Sequence, residues 1–144
     1  MTRRSGVHTQ IHLLAPYPLR NRTNLKDFIS SIFKKEQRTL GALDLIFCSD
    51  AYLLQINQDF LGHGDLTDII TFDLSDEKES SAEIYISIDR VRENAKTFGV
   101  SVENELHRVV FHGVLHLCGY KDKKPGDIKV IRSKENEYLQ KYFQ

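Results

Sequence analysis

Residues 112–122 read HGVLHLCGYKD, and no other stretch constrains the chain so tightly. His112 and His116 stand four residues apart. On an α-helix that spacing puts both imidazoles on one face, with Cβ atoms about 5–6 Å apart. Two ring nitrogens so placed can meet one ion at about 2.0–2.1 Å. Gly119 follows, and glycine can end a helix in a left-handed turn that sends the chain back. Asp122 then falls six residues after His116, carrying a carboxylate oxygen of the kind zinc accepts. The segment therefore demands a helix, a glycine turn and a return, with His112, His116 and Asp122 as the expected metal ligands. Cys118 belongs to a different part of the helix surface and is not assigned to the metal.

The pattern H-x-x-x-H-x-x-G-x-x-D shares its spacing with the metzincin layout H-E-x-x-H-x-x-G-x-x-H. In such enzymes the Glu takes a proton from the activated water. Gly113 stands at that position here, so a metallopeptidase built on this helix would lack its base.

The rest of the chain supplies a setting for that helix. TQIHLL (9–14) reads as a first strand, and two prolines then break regularity. A helix is expected after Thr23 or Asn24, with Leu25, Phe28, Ile29, Ile32 and Phe33 as its apolar stripe. GALDLIFC (41–48) suits a strand. Ser49 is placed to cap a second helix bearing Leu53, Ile56, Phe60 and Leu61 on one face. TDIITFDL and AEIYISI read as two strands around the acidic turn SDEKESS, the second alternating Ile84, Ile86 and Ile88 with Glu83, Tyr85 and Ser87. A helix then runs to Gly99, and Ser101 caps the metal helix, whose first turn carries Glu103 and Glu105. A last helix is expected after Pro125-Gly126-Asp127, with Ile128, Ile131 and Tyr138 among its apolar positions. The expected fold is α/β (α+β), one domain over 1–144. It has about four strands in a mixed sheet covered by helices, with a zincin-like metal helix.

Charge bears on partners. The net charge is zero, which argues against indiscriminate polyanion binding. The charge is nevertheless segregated: eight Lys or Arg against two acids in 1–40, four against fourteen in 41–107, and eight against four in 108–144. The two basic ends would make one basic face if the fold joined them. Cys48 and Cys118 form no C-x-x-C pattern and suit free thiols in the cytosol. No apolar run is long enough for a membrane span, and no secretory signal is evident.

HGVLHLCGY resembles the H-G-x-L-H-L-x-G-Y signature of the YbeY endoribonucleases, bacterial ribosomal RNA maturation factors. In the family D-H usually follows, the His being the third zinc ligand; Lys121-Asp122 stands there instead. INQDFLGHGDLTDIITFDL is similar to the family segment L-N-x-x-Y-R-x-K-D-x-P-T-D-V-L-S-F, with Asn57, Thr67, Asp68 and Phe72 matching outright. SAEIYISIDRVRENA resembles the strand and helix around the family's G-D-I-x-I. The resemblance covers roughly residues 45–122 and keeps motif order and spacing.

The resemblance implies one zinc ion per chain and a metal-dependent single-strand endoribonuclease. Its role would be 3′-end maturation of 16S ribosomal RNA and ribosome quality control in the cytoplasm. Ribosomal RNA and the small ribosomal subunit are the implied partners, with ribosome assembly proteins as further candidates and no membrane. The oligomeric state is left open. The family Arg thought to serve cleavage is replaced by Leu61, which cannot hold a phosphate. Lys121, beside Asp122, and His63 are the candidate catalytic cations in its place, and Asp68 is expected to cap or orient a loop. Two rival functions stand beside this one: a zincin-type metallopeptidase, and a non-catalytic ribosome assembly factor whose metal only pins the C-terminal loop.

Overall fold

The computed structural model describes residues 8–62 and 67–144, with Leu61 described for its backbone alone. Its elements run β1 (His8–Leu13), α1 (Arg22–Lys35), β2 (Ala42–Cys48), α2 (Asp50–Leu61), β3 (Ile69–Asp73), β4 (Ser81–Ser87), α3 (Ile88–Phe98), α4 (Val102–Leu117) and α5 (Pro125–Tyr142). The four strands form one sheet in the order β1-β2-β4-β3. β1, β2 and β4 are parallel, and β3 lies antiparallel to β4 at the edge. This is the mixed α/β sheet expected from the sequence.

Strand alternation divides the apolar residues between two faces. Leu43, Leu45 and Phe47 of β2 and Ile84 and Ile86 of β4 join the main core with the buried residues of α1, α4 and α5. Cys48, Leu53, Ile56 and Ile70, with Phe72 and Tyr85 packed against them, form a second cluster under α2. α4, which carries His112 and His116, is buried along most of its length and packs on β3, β4 and the other main-core helices. It comes close to the sheet at Gly113, where a Cβ would fall 2.8 Å from Ile69 Cδ1 and 3.1 Å from Ile84 Cδ1.

Two caps follow the sequence: the hydroxyls of Ser49 and Ser101 accept from the backbone N–H groups of Tyr52 and Asn104. A third capping hydroxyl, that of Ser87, stands where the sequence reads as strand and accepts from Arg90 N. Several expectations need correction. α1 begins at Arg22 behind Asn21, which adopts a left-handed φ of 57° and makes no side-chain cap. Asn tolerates that backbone, so the helix opens before Thr23. Ile88 is the first residue of α3, not the last of β4, because Ser87 caps there. α4 ends at Leu117, with Cys118 as its C-cap and Gly119 in the turn beyond at φ 100°. α5 starts at Pro125 itself, since the first helical position has no use for an N–H.

Apolar residues placed on stripes by periodicity are in two cases exposed: Phe60 by 72% and Ile128 by 43%. Phe60 sits in the last turn of α2 and, among the described residues, makes one ring contact, edge-on with Phe72. On α5 the buried stripe begins later, as Ile131, Glu135, Tyr138 and Leu139. Glu105 does more than complement the helix dipole: it is 1% exposed and pairs with Arg108. Cys48 and Cys118 are both free and buried, and burial pushes each thiol up to about 12. Among the described residues no helix is long and apolar enough to cross a membrane.

Candidate metal centre

α4 delivers His112 and His116 from successive turns, and the turn beyond Gly119 returns Asp122 to them. The three donor atoms nearly touch. His112 Nε2 and His116 Nε2 are 2.9 Å apart, and each lies 3.2 Å from Asp122 Oδ2. Among the described residues this is the group of His, Cys, Asp or Glu whose donors converge well enough to hold an ion. Donors of a tetrahedral site with bonds of about 2.0–2.1 Å would stand about 3.3 Å apart.

The outer ring nitrogens decide what that triangle is. His116 Nδ1 lies 2.9 Å from the carbonyl oxygen of Tyr120. A carbonyl can only accept, so Nδ1 carries the proton and Nε2 of the neutral ring presents a lone pair. His112 Nδ1 lies 2.6 Å from Glu135 Oε2, and a carboxylate likewise takes the N–H. Two imidazole lone pairs and a carboxylate oxygen thus face one another with no proton between them. A positive charge at its centre, a proton or a metal ion, would relieve the arrangement, and the donor set fits a divalent metal. Partners on the far nitrogens are also how metal-ligating imidazoles are commonly oriented and made more basic.

The surrounding charges favour a cation. Glu135 is 1% exposed and also accepts from Arg108 Nη1 at 3.0 Å. Arg108 in turn pairs with Glu105 through Nε at 2.8 Å and through Nη2. Burial pushes Glu135 up, but hydrogen bonds and charge from His112 and Arg108 overcome it and hold the carboxyl below its usual value. Burial pushes His112 down, yet Glu135, with Asp122 and Asp68, raises it overall. The site therefore attracts positive charge, a proton in the absence of anything better.

The triad opens on a cleft of about 880 Å³, whose other walls include Asn57, Thr67, Asp68 and Lys123. Asn94 Nδ2 donates to Asp68 Oδ2 at 3.2 Å, and the backbone carbonyl of Asp68 accepts from Ser87 N. Asp68 is thereby tied to Asn94 of α3 and to Ser87, and its side chain also borders the cleft. Burial raises its carboxyl, opposed by the charges of Arg108 and His112.

Of the residues singled out from sequence, His112, His116 and Asp122 come together. Lys121 is exposed beside Asp122 and is absent from the described lining, which includes Lys123 instead. His63 lies outside the described residues, as does the side chain of Leu61. Cys118 turns into the main core. Glu135 was missed. Its signal was a carboxylate on the apolar stripe of α5, between Ile131 and Tyr138, where only a paired acid can be buried.

The sequence model of the family described as Endoribonuclease YbeY matches residues 18–143. A protein of that name from Flavobacterium psychrophilum is 50% identical over 123 residues, covering 85% of this chain and 88% of the relative. Another from Cytophaga hutchinsonii is 49% identical over 124 residues, covering 85% and 87%. The solution structure of TM1509 from Thermotoga maritima aligns with a TM-score of 0.68 and 32% identity, over 94% of this chain and 89% of that one.

Proposed function

The chain belongs to the endoribonuclease YbeY family, and from that premise we propose that it is a metal-dependent endoribonuclease cleaving single-stranded ribosomal RNA. Its role in this reading is 3′-end maturation of small-subunit ribosomal RNA and ribosome quality control in the cytoplasm. One hydrolase domain over 1–144, one zinc ion per chain and the small subunit with its assembly proteins complete the proposal.

The observation that carries it is the convergence of His112 Nε2, His116 Nε2 and Asp122 Oδ2 within 3.2 Å, with both Nδ1 atoms already committed. Zinc held there would polarise a phosphoryl oxygen and activate water for attack on phosphorus. Glu135 and the Tyr120 carbonyl keep the two rings aimed. Asp68, raised by burial and bound at Oδ2 by Asn94, is the cleft group we assign to holding a proton, at Oδ1. Lys123 in the wall and Lys121 at the rim supply charge for the RNA backbone. His63 stays a candidate cation on the resemblance alone.

A peptidase reading fares worse than its motif suggests. A side chain at position 113 would press into Ile69 and Ile84 of the sheet, so a base introduced there would be buried, away from the substrate.

The test is elemental analysis of untagged protein together with two substrates. About one zinc per chain is expected, lost in a His112→Ala/His116→Ala double variant. Metal-loaded protein should cut a single-stranded ribosomal RNA fragment and leave unstructured casein intact. Metal content unchanged in the double variant, or cleavage of casein alone, would overturn the reading.

A further inference from the structure

The imidazole of His116 is aimed by a backbone carbonyl in a turn that belongs to no helix or strand. Tyr120 offers that carbonyl, two residues before Asp122. The side chain of the same tyrosine reaches away from the metal donors, and its hydroxyl donates to Glu36 Oε1 at 2.6 Å. Glu36 is the C-cap of α1, 84 residues earlier in the chain. Its other oxygen accepts from the hydroxyl of Tyr138 on α5, and Lys134 Nζ stands 3.7 Å from it. The carboxylate side chain is only 12% exposed.

A second contact joins the same two places. Arg38, just past α1, lies against Gly119, where a Cβ would fall 2.7 Å from its Nη2. The end of α1 therefore grips consecutive residues of the turn, 119 by packing and 120 by a charged hydrogen bond. Backbone bonds from Gly119 N to His116 O and from Tyr120 N to Leu115 O close the helix end. They do not tie the turn to the rest of the molecule, whereas Glu36 does.

We propose that Glu36 is a positioning residue of the metal centre. Through Tyr120 it fixes the carbonyl that orients His116 and the turn that brings Asp122 back to the two histidines. The proposal rests on the metal-site reading above. Glu36 touches no donor atom; it acts by making the donor triangle rigid before an ion arrives, which lowers the ordering cost of binding.

Two tyrosines on one carboxylate allow a clean test. Zinc affinity is measured by competition with a chromophoric chelator for wild type, Glu36→Ala, Tyr120→Phe, Tyr138→Phe and His116→Ala. Urea denaturation of each metal-free protein in EDTA is run alongside. Tyr120→Phe and Tyr138→Phe each remove one hydroxyl from Glu36, so their metal-free stabilities should fall similarly. Only Tyr120 carries the turn. Glu36→Ala and Tyr120→Phe are expected to weaken zinc binding about 10-fold or more, with Tyr138→Phe staying within about twofold of wild type. Wild-type affinity in Tyr120→Phe, or an equal loss in Tyr138→Phe, would overturn the proposal even if Glu36→Ala fails to fold. If His116→Ala binds zinc as tightly as wild type, the metal-site reading itself falls, and the proposal with it.

Discussion

At position 113 an added methyl group would gain about 1 kcal/mol of helix preference over glycine. It would also meet Ile69 Cδ1 at 2.8 Å and Ile84 Cγ2 at 3.2 Å, and overpacking of that kind costs about 1–3 kcal/mol. Gly113→Ala should therefore lose about 1 kcal/mol on balance, read as a lower urea midpoint at unchanged slope. The sequence exposed the missing base at this position; that the position faces the sheet was not legible, because it depends on how closely α4 approaches β3 and β4. His107 poses a different single-residue question. It is 2% exposed, its Nδ1 bonds the Glu103 carbonyl at 2.7 Å, and its Nε2 is buried without a partner. Burial pushes its pKa down, against a smaller upward pull from Glu103. The unfolded chain thus binds a proton here more readily than the folded one. Stability from this residue is complete above the usual histidine pKa of about 6.5 and is lost as pH falls below it. His107→Phe should lose less stability between about pH 7.5 and pH 5.5 than wild type does, measured by denaturation at both values. An equal loss would mean that His107 titrates in the folded protein as it does in the unfolded chain.

The helices show what pattern reading can reach and where it stops. The serine caps of α2, α3 and α4 lie in local sequence, because a hydroxyl and the N–H it accepts from are three residues apart. The two histidine donors were legible for the same reason, and Asp122 through the glycine turn. The supports of those donors come from elsewhere: Glu135 from α5 and the Glu36–Tyr120 bond from α1. No spacing rule reports contacts between elements brought together by the sheet. The α4–α5 interface yields its own prediction. Glu135→Ala would leave Arg108, itself largely buried, with Glu105 as its remaining carboxylate, and would free the His112 ring. Breaking a buried ion pair by removing one partner costs about 3–5 kcal/mol, and loss of the carboxylate behind a ligating imidazole weakens metal binding about 10–100-fold. Glu135→Gln keeps an acceptor for His112 Nδ1 and should recover part of the metal affinity while recovering less of the stability. Chelator competition and urea denaturation on both variants separate the two effects.

Across the molecule, the fold joins the two basic ends that the sequence holds apart. α1 and α5 meet through their side chains, with Lys35 and Lys141 5.5 and 5.8 Å from the Tyr138 ring and both near Glu137. Three lysines, counting Lys134, face two carboxylates there, Glu137 and Glu36, so the cluster keeps an excess of positive charge. A Lys35→Glu/Lys141→Glu variant is expected to bind single-stranded RNA more weakly and to flatten the slope of log K against log salt by about 1–2. Lys96→Glu, on exposed α3, should leave the slope alone. Titration of a labelled RNA at several salt concentrations reads both. The same pairing of distant ends has a consequence for how the protein is made. The donors His112, His116 and Asp122 all precede Glu135 and Tyr138 in the chain. A nascent chain therefore presents the three donor side chains before the carboxylate behind His112 has emerged. On the metal-site reading, full-strength capture of an ion therefore waits for α5 to dock behind His112, late in synthesis.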